Sequence, residues 1–290
     1  MPGQSLSEIR SLLAGAGLAP HHRFGQNFLI DLNLMRKLVA AAEVGPDDVV
    51  LEVGPGTGSL TEMLLERGAQ VIAVEIDRGL HRLLIERLNE RTRLTLIHGD
   101  ALSGKHAINP HVLDALREHK PGRTGRLKLV ANLPYQIATP LLIDLLWAEP
   151  RVDPLTFTIQ REVGDRLRAG VGETAYGPVS VIVQTFATVE LVGAVPPDAF
   201  WPKPKIDSVM LRVVGRLHPR VSWTDAPDFA ALVQRGFGQR RKMLGRLIGT
   251  QLSSAAFDAA EVSPNCRPEQ VSAGQWAALF LALLRSEGRA

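Results

Sequence analysis

Val49-Val50-Leu51-Glu52-Val53-Gly54-Pro55-Gly56-Thr57-Gly58 is the stretch from which the fold can be read. A β-branched, apolar run of this length makes a short buried strand, and the glycine run after it makes a tight turn. Beyond the turn, Leu60, Met63 and Leu64 recur at helical spacing, giving a unit of strand, glycine turn and helix. The alternation repeats downstream. Residues 71–74 read as a second strand, followed by a helix carrying Leu80, Leu83, Leu84 and Leu88. Residues 94–97, 127–131 and 155–159 supply three more strands, with helical segments at 141–147 and 162–169. Short apolar strands alternating with helices predict an α/β fold whose mostly parallel sheet is covered on both faces.

Towards the C-terminus the pattern changes. Pro178 opens a stretch with Val179, Ile182, Val183 and Phe186 at helical spacing, so a helix is expected despite the β-branched content. Residues 189–195 and 208–214 are expected to close the sheet as an antiparallel strand pair, separated by a proline-rich loop. From about residue 217 only helical patterns remain, as in Met243, Leu244, Leu247 and Ile248. The expected organisation is a sheet domain over 1–216, with a helical lead-in over 1–45, and a small all-helical domain over 217–290. Ser5 and Glu8 in the lead-in have the spacing of a capping box.

Composition narrows the function classes. The 290 residues are 45% hydrophobic and 22% charged, enough for an ordinary globular core. Cys266 is the one cysteine, which excludes an intrachain disulfide and a cysteine-based zinc site and fits a reducing cytoplasm. His21, His22, His106, His111 and His119 lack metal-ligand spacing and read as surface residues, so no metal is expected. Glu8 and Arg10 interrupt any export-signal core, and the most continuous apolar stretch, 276–284, is too short to cross a bilayer. The expectation is a cytoplasmic monomer without a membrane partner. The net charge is only +3, yet Arg235, Arg240, Arg241, Lys242 and Arg246 cluster with no acid among them. Such a cluster is a solvated face unless the rest of the chain gives a reason for an anionic polymer.

The glycine turn lies at the carboxyl end of the first strand, the edge where open α/β sheets bind ligands. Alone it marks any tight turn. Glu75 ends the second strand, 21 residues after Gly54, where a carboxylate can accept hydrogen bonds from two ribose hydroxyls; a helix N-terminal acid is the simpler alternative. Asp100 follows the third strand at the same edge. Ser59 stands where a dinucleotide fingerprint wants a third small residue, and there is no phosphate-loop lysine. The G-x-G-x-G form with Glu75 and Asp100 resembles a class I methyltransferase, which implies S-adenosylmethionine as cofactor.

The fourth strand ends in Asn132-Leu133-Pro134-Tyr135, the most specific feature of the chain. An adenine N6 amine is a poor nucleophile because its lone pair is delocalised into the ring. The Asn132 side-chain oxygen can accept one N–H of that amine and the Leu133 carbonyl the other, drawing the nitrogen towards tetrahedral geometry. Pro134 stiffens the turn, and Tyr135 offers a face for a base taken out of its stack. The competing reading is an ordinary turn with an Asx hydrogen bond and a core tyrosine.

Together with Phe24-Gly25-Gln26-Asn27-Phe28-Leu29 and Phe200-Trp201-Pro202-Lys203-Pro204-Lys205-Ile206-Asp207-Ser208, this loop resembles the small-subunit ribosomal RNA adenine dimethyltransferases. The likeness runs on through Gln160-Arg161-Glu162-Val163, Tyr176-Gly177, Gln239-Arg240-Arg241-Lys242 and Arg267-Pro268-Glu269, and so spans nearly the whole chain. It implies a Rossmann-like catalytic domain with a small helical domain, acting on two adjacent adenosines near the 3′ end of 16S rRNA in a small-subunit precursor. It further implies that Asn27, Leu29, Gly54, Gly56, Glu75, Asp100 and Asn132 hold the cofactor, and that Lys205, Arg240, Arg241 and Lys242 meet RNA. Two departures stand out. Gln136-Ile137-Ala138 replaces the usual Asn, Ile and Ser or Thr, and residues 101–126 read as a longer, basic insertion. The loop does not separate this activity from adenine methylation of 23S rRNA or DNA, nor from an assembly factor that acts mainly by binding the small subunit.

Overall fold

The computed structural model describes residues 3–21, 25–104, 107–239 and 242–289. The central sheet has seven strands: β1 (Val49–Val53), β2 (Gln70–Glu75), β3 (Leu94–His98), β4 (Leu127–Asn132), β5 (Leu155–Gln160), β6 (Ala187–Val195) and β7 (Ser208–Gly215). Their spatial order is β3-β2-β1-β4-β5-β7-β6. β1 to β5 are mutually parallel, and β7 runs antiparallel to β5. The helices that precede or connect the parallel strands are α1 (Leu6–Gly15), α2 (Leu32–Ala41), α3 (Ser59–Glu66), α4 (Arg78–Leu88), α5 (Pro110–Glu118) and α6 (Ala138–Leu146). After them come α7 (Arg161–Arg168), α8 (Pro178–Phe186), α9 (Ala226–Gly236), α10 (Leu244–Ile248), α11 (Ser254–Ala259) and α12 (Ala273–Ser286).

Every residue of β1 is buried, as a central parallel strand with helices on both faces requires. On one face, Val50, Val71, Ala73 and Val130 pack against Met35, Leu38 and Val39 of α2 and Leu60, Met63 and Leu64 of α3. At the amino edge an ion pair between Lys128 and Asp48 (2.8 Å, each side chain 7% exposed) ties the start of β4 to the start of β1. It is a satisfied pair: Lys128 Nζ also donates to the Glu43 carbonyl at 2.7 Å, and Asp48 accepts the Arg126 N–H at 2.7 Å.

Residues 101–126, which the sequence marks as an insertion, hold the crossover that the topology demands. β3 and β4 are parallel but separated by β2 and β1, so the chain must return across the sheet. It does so through a small antiparallel ladder (Leu102–Gly104 with Ala107–Ile108) and then α5, capped by Asn109. The far end is bolted down: Gly122 N–H donates to the Asp47 carbonyl at 2.7 Å, and the Thr124 hydroxyl to its carboxylate at 2.6 Å.

The chain forms two compact units: Met1–Arg161 with Glu190–Val214, and Glu162–Val189 with Gly215–Ala290. The second unit thus takes in α8, which the sequence assigns to the sheet domain. The reason is packing: α8 is buried almost all round, and it contacts α9 and α12. Phe186, Phe229 and Phe280 meet edge to face at 5.8 and 5.6 Å, and a Cβ on Gly236 would sit 2.2 Å from the buried Trp276 ring.

Glu52 is the odd residue of β1. It is 1% exposed and accepts the Thr61 hydroxyl at 2.7 Å. Burial, with a smaller push from Glu75, raises its carboxyl to about 8, while the hydrogen bond offsets part of the rise. The unfolded chain ionises this group near 4.5, so its stabilising contribution is full below that pH and is lost as pH rises to about 8. Glu52→Gln keeps an acceptor for Thr61 and cannot ionise. Its melting temperature relative to the parent is expected to climb between those two pH values and then level off. Parallel curves for the two proteins across that window would show that the carboxyl does not titrate as its burial demands.

Candidate active site

Gly54, Gly56 and Gly58 all have left-handed backbone, with φ of +74°, +61° and +85°. A Cβ at Gly54 would lie 3.1 Å from Pro134 Cγ, and one at Gly56 2.9 Å from Phe28 Cε1. Conformation and close protein contacts therefore both call for glycine in this turn. Glu75 binds the turn from the neighbouring strand. Its Oε2 accepts the Gly56 N–H at 3.1 Å and its Oε1 accepts the Asp77 N–H at 2.9 Å. A carboxylate has about four lone-pair positions, so roughly half remain for a ligand. Burial pushes the Glu75 carboxyl up to about 7, partly offset by those backbone bonds. At the next strand end, Asp100 Oδ1 accepts the Leu102 N–H at 3.0 Å.

The Asn132 amide reaches outside its own loop. Nδ2 donates to the Asn27 carbonyl at 2.9 Å, and Oδ1 accepts the Thr158 hydroxyl at 2.5 Å. Leu133 N–H donates to the Thr158 carbonyl at 3.3 Å, extending the ladder one step past the strand. The Tyr135 hydroxyl and Ser208 Oγ are hydrogen-bonded at 2.9 Å. Burial raises the Tyr135 phenol pKa, and the Ser208 bond lowers it in part.

One cleft gathers these groups. Asn27, Leu29, Gly54, Gly56, Glu75, Asp100 and the whole of Asn132–Tyr135 line it. Lys205 and Lys242 are exposed and do not line the cleft; Arg240 and Arg241, like Phe24, lie outside the described residues. Among the described residues, no group of three or more His, Cys, Asp or Glu is arranged to hold a metal ion.

The sequence reading missed several neighbours. Ile9 of α1 lines the cleft, and Gln4, 4% exposed, donates from its backbone to Ser59 Oγ at 2.8 Å and from Nε2 to the Thr57 carbonyl at 3.0 Å. The N-terminal arm thus braces the glycine turn from outside. Glu52 also lines the cleft, and a lone acid inside an apolar strand was a legible signal for it. Thr158 carried no such signal.

A family profile described as Ribosomal RNA adenine dimethylase matches residues 18–284. Ribosomal RNA small subunit methyltransferase A of Moorella thermoacetica is 39% identical over 287 residues, 97% of each chain. The protein of the same name from Phenylobacterium zucineum is 41% identical over 285 residues, 97% of this chain and 94% of that one. Among solved structures, the 23S rRNA methyltransferase ErmE has a TM-score of 0.65 at 26% identity, covering 89% of this chain and 99% of its own. A dimethyladenosine transferase from Plasmodium falciparum has a TM-score of 0.69 at 22% identity, covering 89% and 97%, and speaks for the fold alone. With the profile spanning most of the chain and relatives this similar over nearly their full length, the chain belongs to the ribosomal RNA adenine dimethylase family.

Proposed function

We propose that the chain transfers methyl groups from S-adenosylmethionine to the N6 amines of two adjacent adenosines near the 3′ end of 16S rRNA. The substrate on this reading is a precursor of the small ribosomal subunit, and the enzyme works as a cytoplasmic monomer. The observation that carries the proposal is the meeting of the Asn132–Tyr135 loop with Glu75 and Asp100 in one cleft. Identity of 39–41% to proteins named for the small subunit, against 26% to a 23S enzyme, favours 16S rRNA as substrate. Mapping methylated bases after reaction with purified small and large subunits side by side tests it; modification of 23S rRNA in place of 16S rRNA would overturn it.

The donor set suits a nucleoside cofactor. Glu75 has lone pairs left for a ribose diol, and Asp100 has its second oxygen for an adenine amine. Asn27, Leu29, Gly54 and Gly56 complete the walls on this reading. The cofactor, when bound, supplies an electrophilic methyl on a sulfonium. The chain's own residues prepare the nucleophile. Asn132 Oδ1 and the Leu133 carbonyl each accept one N–H of the target amine, so its lone pair is withdrawn from the ring and aimed. The cationic product amine is acidic and loses its proton to water without a strong base. Tyr135 stacks on the extruded base, and its bond to Ser208 fixes the ring's orientation. Lys205, Arg240, Arg241 and Lys242 hold RNA phosphates.

Three outcomes are expected. An ionised Glu75 accepts from both hydroxyls whereas a protonated one does not, so calorimetric cofactor affinity should weaken as pH falls below about 7. Glu75→Ala should remove that dependence and cost about 2–3 kcal/mol of binding, the scale of charged hydrogen bonds. An unchanged affinity in a folded variant would place the cofactor elsewhere.

Asn132→Ala should lower kcat by about 10²-fold or more with a smaller effect on RNA affinity, as for other preorganised acceptors of developing charge. Tyr135→Phe keeps the stacking face and should retain much of the activity, while Tyr135→Ala should not. Equal inactivity of the two tyrosine variants would mean that the stacking face is not enough and the hydroxyl is required, through its bond to Ser208 or in the chemistry itself.

Replacing Arg240, Arg241 and Lys242 with alanine should flatten the salt dependence of RNA binding and leave cofactor binding alone. A wild-type salt slope in the triple variant would reduce the cluster to a solvated face.

A further inference from the structure

The amine chemistry proposed above turns on which end of the Asn132 amide faces the substrate. Asn132 cannot settle this alone, because an amide presents a donor at one end and an acceptor at the other. Two contacts settle it. The Asn27 carbonyl only accepts, so the NH2 end must face it, and the 2.9 Å bond shows that it does. Oδ1 then faces Thr158, whose hydroxyl donates to it.

Thr158 is suited to that task. It is fully buried in β5 and stands opposite Asn132 in the parallel register. Its β-branched side chain has restricted χ1 freedom, and its carbonyl already receives the Leu133 N–H, so backbone and hydroxyl are held together. Oδ1 has two lone pairs. One is taken by Thr158, and the other is left for an N–H donor in the cleft. Without the hydroxyl, the amide would be tied at its nitrogen end alone and free to swing.

We propose that Thr158 is a positioning residue for methyl transfer, its buried hydroxyl holding the Asn132 side-chain oxygen towards the adenine amine. The proposal rests on the reading of Asn132 as the amine acceptor. It adds a requirement from a strand that does not itself carry the catalytic loop.

The test uses the full-length protein on small-subunit particles, with Thr158→Val, Thr158→Ser, Asn132→Ala and the Thr158→Val/Asn132→Ala double variant. Melting temperature and cofactor Kd are measured for each. Thr158→Val should lower kcat by about tenfold, the scale of one hydrogen bond, with KM for the particles and cofactor Kd unchanged. Thr158→Ser restores the donor and should recover most of the rate. Because the hydroxyl acts through Asn132, the double variant should be no slower than Asn132→Ala alone. Wild-type kcat in Thr158→Val, failure of a folded Thr158→Ser to recover rate, or an equal loss in the Asn132→Ala background would each overturn the proposal. If Asn132→Ala is impaired while Thr158→Val is not, the positioning role alone falls. If Asn132→Ala keeps full turnover, the reading of Asn132 falls and takes the positioning role with it.

Discussion

The parallel register of β1 with β2 on one side and β4 on the other is the constraint from which the rest follows. It aligns Val53 with Val74 and Leu51 with Leu129, so the strands finish along one edge. Peptide hydrogen bonds carry the alignment past the strand ends: Gly54 N–H donates to the Val74 carbonyl and Gly99 N–H to the Glu75 carbonyl, both at 2.9 Å. Distant sequence positions thereby reach one cleft without any one loop having to span it. At the opposite edge, the buried Lys128–Asp48 pair holds the same two strands against slipping. A slip of one residue would exchange the faces of every side chain on the strand.

This edge stores unusual electrostatics. Two carboxyls, Glu52 and Glu75, are buried there; burial raises the proton affinity of both, with Glu75 adding a smaller push on Glu52 and Asp77 one on Glu75. Each is compensated locally, Glu52 by the Thr61 hydroxyl and Glu75 by two backbone N–H groups. Compensation by backbone donors leaves the Glu75 side chain in one place, anchored between the glycine turn and the start of α4. That is a preorganised acceptor: its orientation is set before any ligand arrives.

Much of the sheet was legible because its signals are local. A strand such as Val49–Val53 followed by three glycines fixes element type, direction and the edge on which the turn lies. Glu75, Asp100 and Asn132 follow from that edge once the strands are counted. What was hidden depends on partners far along the chain. Thr158 looks like any β-branched strand residue until the register sets it opposite Asn132. Gln4 meets Thr57 and Ser59 only because the N-terminal arm folds back onto the glycine turn. For α8, the apolar spacing gave the helix but not its company. A helix buried nearly all round belongs where most helices can surround it, in the second unit. The use made of residues 101–126 was hidden because the path of a crossover depends on how many strands it must pass, which sequence alone does not state.

The bond from Asn132 Nδ2 to the Asn27 carbonyl also bears on residue choice at position 132. Aspartate has nearly the same shape and would offer the same oxygen to a substrate. At the other end, however, it would set a second acceptor against a backbone carbonyl, with no hydrogen between two oxygens. It would have to withdraw from the cleft or bind a proton, and the protonated acid would donate to that carbonyl but leave a weaker acceptor for the substrate than the amide oxygen. The amide is therefore selected by a peptide group 105 positions earlier in the chain, independently of anything the RNA presents.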